Sequence, residues 1–413
     1  MADHHDSLET RAPEERERAL MAALPEQIGH AIRRAPHFAR TLAGIDPRQV
    51  DSRGALAALP VLRKSELKDR QCGAPPFGGL TATPAGGLAR IFISPGPVYD
   101  PEGRRADYWR MARPLYAAGF RAGDVVQNCF SYHFTPAASM MEGGALALGC
   151  AVIPAGIGQT EMQVQAMAEL RPAGYVGTPS FLKIILEKAA ELGSDISSVN
   201  KAVVGAEALP ASLRKWLQQH GVARVQQIYA TADLGNIAYE SEALEGLIID
   251  EEIIVEIIRP GTGDPVPEGE VGEVVVTTLN PDYPLIRFGT GDLSAVLPGT
   301  SPCGRTNMRI KGWLGRADQT TKVRGMFVHP SQIADIARRH REVLKARLVV
   351  DNPAGQDRMT LHCELNGAPP EGLAAALAAS IRDVTKLRGE VAFRNSGELP
   401  NDGKVIEDAK KYD

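Results

Sequence analysis

Residues 201–229 read KAVVGAEALPASLRKWLQQHGVARVQQIY, and this stretch carries the pattern that decides the fold. The apolar run 201–204 predicts a buried strand, the amphipathic run 210–220 predicts a helix, and 225–229 predicts a second strand. Two strands joined through one helix indicate a βαβ unit, in which the strands are parallel. We therefore expect a parallel sheet covered by helices.

The same alternation continues toward the N-terminus. Strands are predicted at 125–126, 151–154 and 175–176, and helices at 140–148, 161–170 and 179–192. A first helix is predicted over 14–34, where Pro25 should kink or divide it and an apolar stripe should face the core. That stripe consists of Leu20, Leu24, Ile28 and Ile32.

Beyond Gly246 the chain becomes rich in β-branched residues. The runs 248–258 and 270–278, separated by a Gly/Pro-rich link, predict a hairpin in a smaller β region. A second unit should begin near Asp318. Its predicted elements are a helix at 330–341, strands at 346–350 and 360–364, a helix at 371–386 and a strand at 390–393.

Composition limits the classes of function. The 413 residues are 44% hydrophobic with a net charge of -4, so more than one globular domain is expected and nucleic acid is not an expected partner. The most apolar stretch, 137–155, is broken by Glu142, Gly143, Gly144 and Pro154, so no membrane span is expected. Five scattered cysteines and a charged N-terminal segment favour a cytoplasmic protein.

Several short segments follow one another in a distinctive order. They are LPVLRKSEL (59–67), GQTEMQ (158–163), TPS (178–180), GAE (205–207), YPLIRFGTGD (283–292), PCGR (302–305), GRAD (315–318), VRG (323–325), HPSQI (329–333) and LPNDGK (399–404). Their order and spacing resemble those of the phenylacetate–coenzyme A ligase family of adenylate-forming enzymes. The resemblance extends over nearly the whole chain.

The resemblance implies an α/β enzyme of two domains. Residues 1–317 would form a large adenylate-forming domain with parallel sheets and a small β region, and residues 318–413 a small mobile α+β lid hinged at Asp318. ATP and a small carboxylic acid would form an acyl-adenylate, from which coenzyme A would displace AMP. A lid can exclude water from that reactive anhydride. The family name alone favours an aromatic acid, and a homodimer is left open.

The resemblance also assigns a nucleotide site. Asp292 would accept the ribose hydroxyls, and the alternative is a turn aspartate that binds backbone amides. Arg316 would contact ribose or phosphate, and the alternative is a surface ion pair with Asp318. Arg324 is expected at the same site. Lys404, on a glycine loop, would place a compact positive charge on the reacting oxygens, and the alternative is a solvated tail lysine.

Other residues are assigned to the adenine and acyl sides. Gly205, Ala206 and Glu207 would form the adenine wall, although a tight turn explains the glycine equally well. Tyr229 would stack on adenine, with a half-buried core tyrosine as the alternative. The acyl pocket is assigned to an aromatic cluster, which could equally be ordinary packing: Tyr132, His133 and Phe134, after Ser131.

Two segments depart from the family at the phosphate end of ATP. Where relatives have a Ser/Thr/Gly-rich loop with a lysine, residues 94–103 read SPGPVYDPEG, with three prolines and two carboxylates. Prolines remove the backbone N–H donors of a phosphate cradle. Arg104 and Arg105 could replace the lysine or lie on a helix surface. The family's Mg²⁺-binding glutamate is Asp233 here, and aspartate can still serve as a ligand.

A third departure concerns zinc. By resemblance, the positions that correspond to a metal site in some relatives read Ser241, Ile248, Ser301 and Cys303. One thiolate cannot form a four-ligand site, so no zinc is expected. The leading hypothesis is thus an AMP-forming acid–coenzyme A ligase with ATP, Mg²⁺ and coenzyme A. One alternative is a non-catalytic or weakly catalytic protein that binds nucleotide or acyl-coenzyme A. Another is an adenylating enzyme that uses an amine or a carrier-protein thiol as acyl acceptor.

Overall fold

The computed structural model describes residues 4–94, 96–324, 326–353, 357–400 and 404–410. The chain divides into two compact units. The first unit comprises Met1–Arg259, Gly263–Thr290 and Ala295–Gly312, and the second comprises Pro260–Thr262, Gly291–Ser294 and Trp313–Asp413. The predicted domain division at 317/318 and the lid motion stay predictions.

The first unit is organised around a nine-stranded sheet. Its parallel part has the order Arg224–Thr231, Lys201–Val204, Gly174–Gly177, Val125–Asn128 and Ala151–Ile153. On the other side of Arg224–Thr231 the order continues antiparallel with Gly235–Tyr239, Leu247–Ile249, Arg309–Ile310 and Val296–Leu297. The parallel sheet predicted from the βαβ pattern is confirmed.

Helices cover both faces of the parallel strands because successive strand residues point to opposite sides. Val203 packs in one apolar cluster, whereas its neighbours Ala202 and Val204 pack in another. The first cluster is formed with the helices Ala112–Ala117 and Ala137–Ala147. The second is formed with Thr160–Leu170, Pro179–Leu192 and Ala211–Gln219.

A four-stranded sheet forms the smaller β region. Its order is Leu62–Arg63, Phe288–Ser294, Gly272–Thr278 and Ile253–Ile258. The predicted hairpin is confirmed for the antiparallel pair of 253–258 with 272–278, but the single strand predicted over 248–258 is wrong. The chain turns at buried Asp250, whose Oδ1 accepts a hydrogen bond from Glu252 N at 3.0 Å, and Leu247–Ile249 joins the large sheet.

The N-terminal helices pack against these sheets. The first helix, Pro13–Arg34, buries Leu20, Leu24 and Ile28 and runs through Pro25 without interruption, so the expected division there does not occur. The other helical segments are Pro36–Thr41, Arg53–Ala57 and Leu67–Gly73, with short 3-10 turns at Ser7–Thr10, Pro47–Gln49, Lys64–Glu66, Ala85–Gly87 and Ala317–Gln319. Among the described residues, no helix has both the length and the apolar character that crossing a membrane would require.

The second unit is an α+β structure. Its sheet has the order Glu390–Asn395, Arg358–Leu365, Val343–Asp351 and Ile406–Asp408, with one antiparallel pair in the centre and a parallel strand at each edge. The helices Pro330–Arg338 and Leu373–Thr385 pack on it, and Thr321–Val323 pairs with Met326–Val328. These elements confirm the strands and helices predicted for this part of the chain.

Candidate functional site

Asp292 lies near the end of the strand Phe288–Ser294 and faces Arg316 across an isolated antiparallel bridge. Its Oδ1 accepts hydrogen bonds from Arg316 Nη1 and from Trp313 Nε1, each at 3.1 Å. Arg316 Nε also lies 3.4 Å from Asp318 Oδ1. The structure therefore brings together the predicted Asp292, Arg316 and Asp318, and it adds Trp313, which had no predicted role.

Two glycines permit this close approach of the two segments. A Cβ atom on Gly291, where φ is +75°, would lie 2.8 Å from Arg316 Nη2. A Cβ atom on Gly315, where φ is +132°, would lie 2.9 Å from Pro330 Cβ. Backbone hydrogen bonds join the segments on either side of Leu293, from its N–H to Gly315 O at 2.8 Å and from Leu314 N to its carbonyl at 2.9 Å. Glycine is needed here because both positions combine a left-handed backbone with steric crowding.

Two further predicted residues of the nucleotide site lie elsewhere in the second unit. Arg324 has a left-handed backbone, and its N–H and Nε donate to the Asp357 carboxylate and carbonyl at 2.6 and 3.1 Å. Lys404 is exposed and lies two residues before the strand Ile406–Asp408, and its carbonyl accepts a hydrogen bond from Arg347 Nε at 3.1 Å. Most of the predicted glycine loop, residues 401–403, lies outside the described residues. The catalytic role of Lys404 thus stays a prediction.

The predicted adenine wall lies at the carboxyl ends of the parallel strands, where ligands of open α/β sheets bind. Gly205, Ala206 and Glu207 follow the strand Lys201–Val204, and Ala206 has a left-handed φ of 65°. Glu207 Oε1 accepts a hydrogen bond from Ser180 N at 2.7 Å. This contact joins the GAE segment to the start of the helix Pro179–Leu192, so two of the family motifs are adjacent in space.

Tyr229 is a core residue of the first unit. It is 9% exposed and packs in an apolar cluster with residues of the nine-stranded sheet and of the smaller β region. Its hydroxyl donates to Thr290 Oγ1 at 3.2 Å, and Thr290 in turn donates to Val274 O at 3.0 Å. This burial favours the core interpretation and leaves little ring surface for stacking on adenine.

The predicted acyl-pocket residues follow the strand Val125–Asn128. The rings of His133 and Phe134 stack at 4.7 Å, and Phe134 is 61% exposed with a left-handed φ of 64°. The Tyr132 hydroxyl donates to Glu142 Oε2 at 2.7 Å and accepts from Asn128 Nδ2 at 2.9 Å. Burial, the leading cause, raises the pKa of Tyr132, so the hydroxyl stays neutral. The cluster is thus an open aromatic surface with one fixed polar group.

The segment that replaces the family's phosphate loop is not a loop. Arg90–Ser94 and Val98–Glu102 form an antiparallel hairpin in which Ser94 pairs with Val98, so only three residues connect the strands. Ile93 N donates to Phe134 O at 2.9 Å, which places the hairpin beside the aromatic cluster. A hairpin fits because both strands contain β-branched and aromatic residues, and the sequence between them is rich in proline and glycine. The family pattern suggested a loop over 94–103, but Ser94 and residues 98–102 lie in strands.

A buried polar cluster lies on the inner face of this hairpin. Asp233 is completely buried at its side chain, and its Oδ2 accepts a hydrogen bond from Lys64 Nζ at 2.6 Å. Asp100 is 0% exposed, and neither of its carboxylate oxygens makes a well-formed hydrogen bond among the described residues. Burial and the charge of Asp233 raise the pKa of Asp100 to about 7. The nearby Tyr283 hydroxyl is also buried, and its pKa is raised in the same way.

Asp233, the residue predicted to bind Mg²⁺, is enclosed in this cluster. One of its oxygens is already bound to an ammonium group, and the side chain has no surface exposed to a ligand. Within the described residues, no three His, Cys, Asp or Glu side chains are grouped to hold a metal ion. The predicted Mg²⁺ role of Asp233 stays a prediction, and Lys64, quoted in the first family motif without a role, is the hydrogen-bond partner of this carboxylate.

Arg104 and Arg105 lie in an irregular segment after the hairpin and not on a helix. Arg104 donates to the carbonyls of Gly87 and Leu88 at 3.1 and 3.0 Å. Arg105 donates to Tyr108 O at 3.2 Å and lies 3.3 Å from a Glu252 carboxylate oxygen. Both guanidinium groups are thus committed to the protein itself.

The four positions compared with a zinc site do meet in space. Cys303 Sγ lies 3.0 Å from Ser301 Oγ and shares an apolar cluster with Ile248. Burial raises the pKa of Cys303, but hydrogen bonds from Ser241, Ser301 and Arg305 outweigh it and lower the pKa overall. One thiol, two hydroxyls and an isoleucine do not form a zinc ligand set. The expected absence of zinc stays a prediction.

Comparison with known proteins gives the family. Residues 106–280 match the family described as AMP-binding enzyme. The chain is 32% identical over 347 residues to phenylacetate–coenzyme A ligase of Thermus thermophilus, covering 80% of this chain and 77% of that protein. It is 31% identical to the Escherichia coli enzyme of the same name, covering 80% and 78%.

Solved structures agree on the fold. An open conformation of 2-hydroxyisobutyryl-CoA ligase, in complex with its acyl-adenylate and coenzyme A, superposes with a TM-score of 0.86 at 23% identity. That match covers 97% of this chain and 93% of the other. The adenylate-forming fold expected from the sequence motifs is confirmed, and the chain belongs to the phenylacetate–coenzyme A ligase family.

Proposed function

We propose that this chain is an AMP-forming acid–coenzyme A ligase, which joins a small carboxylic acid to coenzyme A through an acyl-adenylate. The observation that carries the proposal is the arrangement at the end of the strand Phe288–Ser294. There a carboxylate, Asp292, and a guanidinium, Arg316, meet beside two glycines at crowded positions, where the lack of a side chain permits the close approach. A carboxylate accepts two ribose hydroxyls well, and a guanidinium suits phosphate oxygens.

The other roles follow from the family motifs at matching positions. Lys404 stabilises the charge that develops during adenylate formation, and Arg324 supports the nucleotide from the second unit. Gly205, Ala206 and Glu207 line the adenine side, and Asp318 is the hinge of the lid. The exposed aromatic surface of His133 and Phe134 favours an aromatic acid, since ring stacking gives both contact area and orientation.

Cofactors and setting form part of the same proposal. Mg²⁺ enters with ATP as part of the substrate, and no resident zinc is included because the donor set around Cys303 does not suit it. Coenzyme A is the acyl acceptor. A cytoplasmic location and an optional homodimer are kept as predictions.

The hairpin at 90–102 favours a second candidate function. The paired strands Arg90–Ser94 and Val98–Glu102 and the buried Asp100 give little to bind the β- and γ-phosphates of ATP. The chain could therefore accept a preformed acyl-adenylate and complete only the thioester step, or bind the adenylate without turnover. The two candidates differ in one reaction, the release of pyrophosphate.

The decisive experiment measures both half-reactions separately. The purified chain is mixed with ATP-Mg²⁺ and a panel of aryl, arylacetic and short aliphatic acids, and pyrophosphate and AMP are followed with and without coenzyme A. In parallel, synthetic acyl-adenylates are supplied with coenzyme A. Pyrophosphate release with any acid supports the ligase, whereas thioester formation from supplied adenylate alone supports the second candidate. Loss of both reactions with every acid would refute enzymatic activity.

A further inference from the structure

Trp313 stands apart from the other two tryptophans of the chain. Trp109 is buried and donates to Glu102 Oε2 at 2.7 Å, and Trp216 stacks on His220 at 3.7 Å. Trp313 is 58% exposed, although its indole N–H is held by Asp292. Its polar group is thus satisfied inside the site while the apolar ring remains in water, a combination typical of ligand-binding aromatics.

The ring is held by the same contacts that build the site. Asp292 Oδ1 accepts hydrogen bonds from Trp313 and Arg316, which fixes the rotation of the carboxylate between a neutral donor and a charged one. The backbone around Trp313 is equally restrained, because Leu314 N donates to Leu293 O at 2.9 Å. The indole is therefore positioned and not simply tethered at the surface.

Distance then determines what the ring can touch. The indole nitrogen lies 3.1 Å from Asp292 Oδ1, and a hydroxyl bound to that carboxylate would lie about 2.7 Å from one of its oxygens. A sugar ring held by Asp292 must consequently sit next to the indole. The C–H faces of a ribose and the face of an indole are complementary apolar surfaces.

We propose that Trp313 is a further residue of the nucleotide site, which orients the Asp292 carboxylate through its N–H and packs its exposed ring against the ribose of AMP or an acyl-adenylate. This inference rests on the proposed function, because it takes the ligand of Asp292 to be a nucleotide. It adds a residue that no family motif quoted above contains. A tryptophan that only caps a surface carboxylate is the competing explanation.

The test uses two substitutions that separate the N–H group from the ring. Trp313→Phe keeps an aromatic ring and removes the donor, and Trp313→Ala removes both. Trp216→Phe is the matched control, since it removes the indole of a different tryptophan, on the helix Ala211–Gln219. Asp292→Asn is the reference variant for the nucleotide site. Each protein is used as the full chain, with thermal melting to show that it is folded.

AMP is titrated into each variant and followed by calorimetry and by indole fluorescence. We expect Trp313→Phe to raise the Kd for AMP about 3- to 10-fold, the effect of one hydrogen bond, and Trp313→Ala to raise it further. The fluorescence change on binding should vanish in both Trp313 variants and persist in Trp216→Phe. In both Trp313 variants kcat should change less than the KM for ATP. A loss of folded protein would instead lower the apparent kcat and leave KM unchanged.

The outcomes separate this inference from the proposed function. If wild type binds AMP and Asp292→Asn weakens that binding, but both Trp313 variants bind as wild type does, the inference is overturned and the proposed function stands. A fluorescence change that survives in Trp313→Phe would also overturn it. If wild type binds neither AMP nor a synthetic acyl-adenylate, the proposed function fails and the inference fails with it.

Discussion

Asp100 is a carboxyl group that the fold seals from solvent next to a second one, Asp233. Lys64 supplies one positive charge, which is bound to Asp233, so two ionised carboxylates would leave a buried negative charge uncompensated. Burial and the neighbouring charge raise the pKa of Asp100 to about 7, so the group keeps its proton in mildly acidic solution and is only partly ionised near neutral pH. A neutral acid in this place is less costly to bury than a carboxylate.

This raised pKa predicts a dependence of stability on pH. An aspartate in the unfolded chain has a pKa near 3.9, so the folded state binds more protons between about pH 4 and 7. Stability should then fall as pH rises toward 7. Asp100→Asn removes the titrating group, so this variant should gain stability relative to wild type at pH 8 and gain little at pH 5. Thermal melts at pH 5 and pH 8 check this prediction, with Asn in place of the exposed Asp51 as the control. An equal difference in Tm between Asp100→Asn and wild type at the two pH values would contradict it.

Lys404 carries the prediction for the chemical step. Lys404→Ala should reduce acyl-adenylate formation about 10²- to 10³-fold, because one preorganised donor to a developing charge is lost. Thioester formation from supplied adenylate should change far less. Lys386→Ala, an exposed lysine of the same unit, is the control and should keep both rates. Equal losses in both half-reactions, or none in either, would refute the assigned role.

At the scale of elements, the hairpin of 90–94 and 98–102 limits the number of backbone N–H donors available to the phosphates of ATP. A phosphate cradle needs several consecutive N–H groups that point at the ligand. Here the strand N–H groups alternate in direction and pair across the hairpin, and prolines at 95, 97 and 101 have no N–H to offer. The β- and γ-phosphates therefore gain few contacts from this element.

We expect ATP to bind no tighter than AMP, and any turnover to show a high apparent KM for ATP-Mg²⁺. Calorimetric titration of both nucleotides measures the ratio of the two Kd values. The double variant Arg104→Ala and Arg105→Ala should leave that ratio unchanged, since the structure commits both guanidinium groups to carbonyls and Glu252. ATP bound at least tenfold tighter than AMP, about 1.4 kcal/mol, would show that another element holds the phosphates.

Elements with a strong local signal were predictable from the sequence. The helix Pro179–Leu192 has the predicted bounds, because Thr178 caps its start and a left-handed Gly193 ends it. The hairpin at 90–102 was missed because the family pattern suggested a loop there, although its residues favour strands. The break at Asp250 was missed because it depends on a buried contact with Glu252 that sequence periodicity does not reveal.

At the scale of the whole molecule, some site residues were likewise predictable from the sequence and others were not. Asp292, Arg316 and Asp318 lie in short family motifs, so the resemblance assigned Asp292 and Arg316 to one site and Asp318 to the hinge, and the structure places the three close together. Lys64 could not be linked to Asp233 from the sequence, because 169 residues separate them and only the tertiary fold brings them together. Trp313 lies beside a motif, but its contact with Asp292 depends on the pairing of two segments that the sequence does not specify.

Within the first unit, a buried ion pair connects the N-terminal segment to a residue nearly three hundred positions later in the sequence. Glu9 Oε1 accepts hydrogen bonds from Arg305 Nε at 2.9 Å and from Tyr239 OH at 2.5 Å. The side chains of Glu9 and Arg305 are both 0% exposed. Arg16 adds a second buried contact, with Glu251 at 2.8 Å. The segment is thus part of the core structure and not an appendage.

This arrangement predicts a large loss of stability when one partner is removed. Glu9→Ala removes the buried carboxylate of Arg305 and leaves only the half-exposed Glu242 at 3.6 Å, which should destabilise the first unit by about 3–5 kcal/mol. The matched control is Glu26→Ala, which breaks the ion pair of Glu26 with Arg33. The two side chains are 79% and 60% exposed, so this change should cost less than about 1 kcal/mol. Urea unfolding followed by circular dichroism compares the two variants with wild type. If Glu9→Ala unfolds at the same urea concentration as Glu26→Ala, the segment does not hold the unit together, and the buried pair contributes no more than a surface contact.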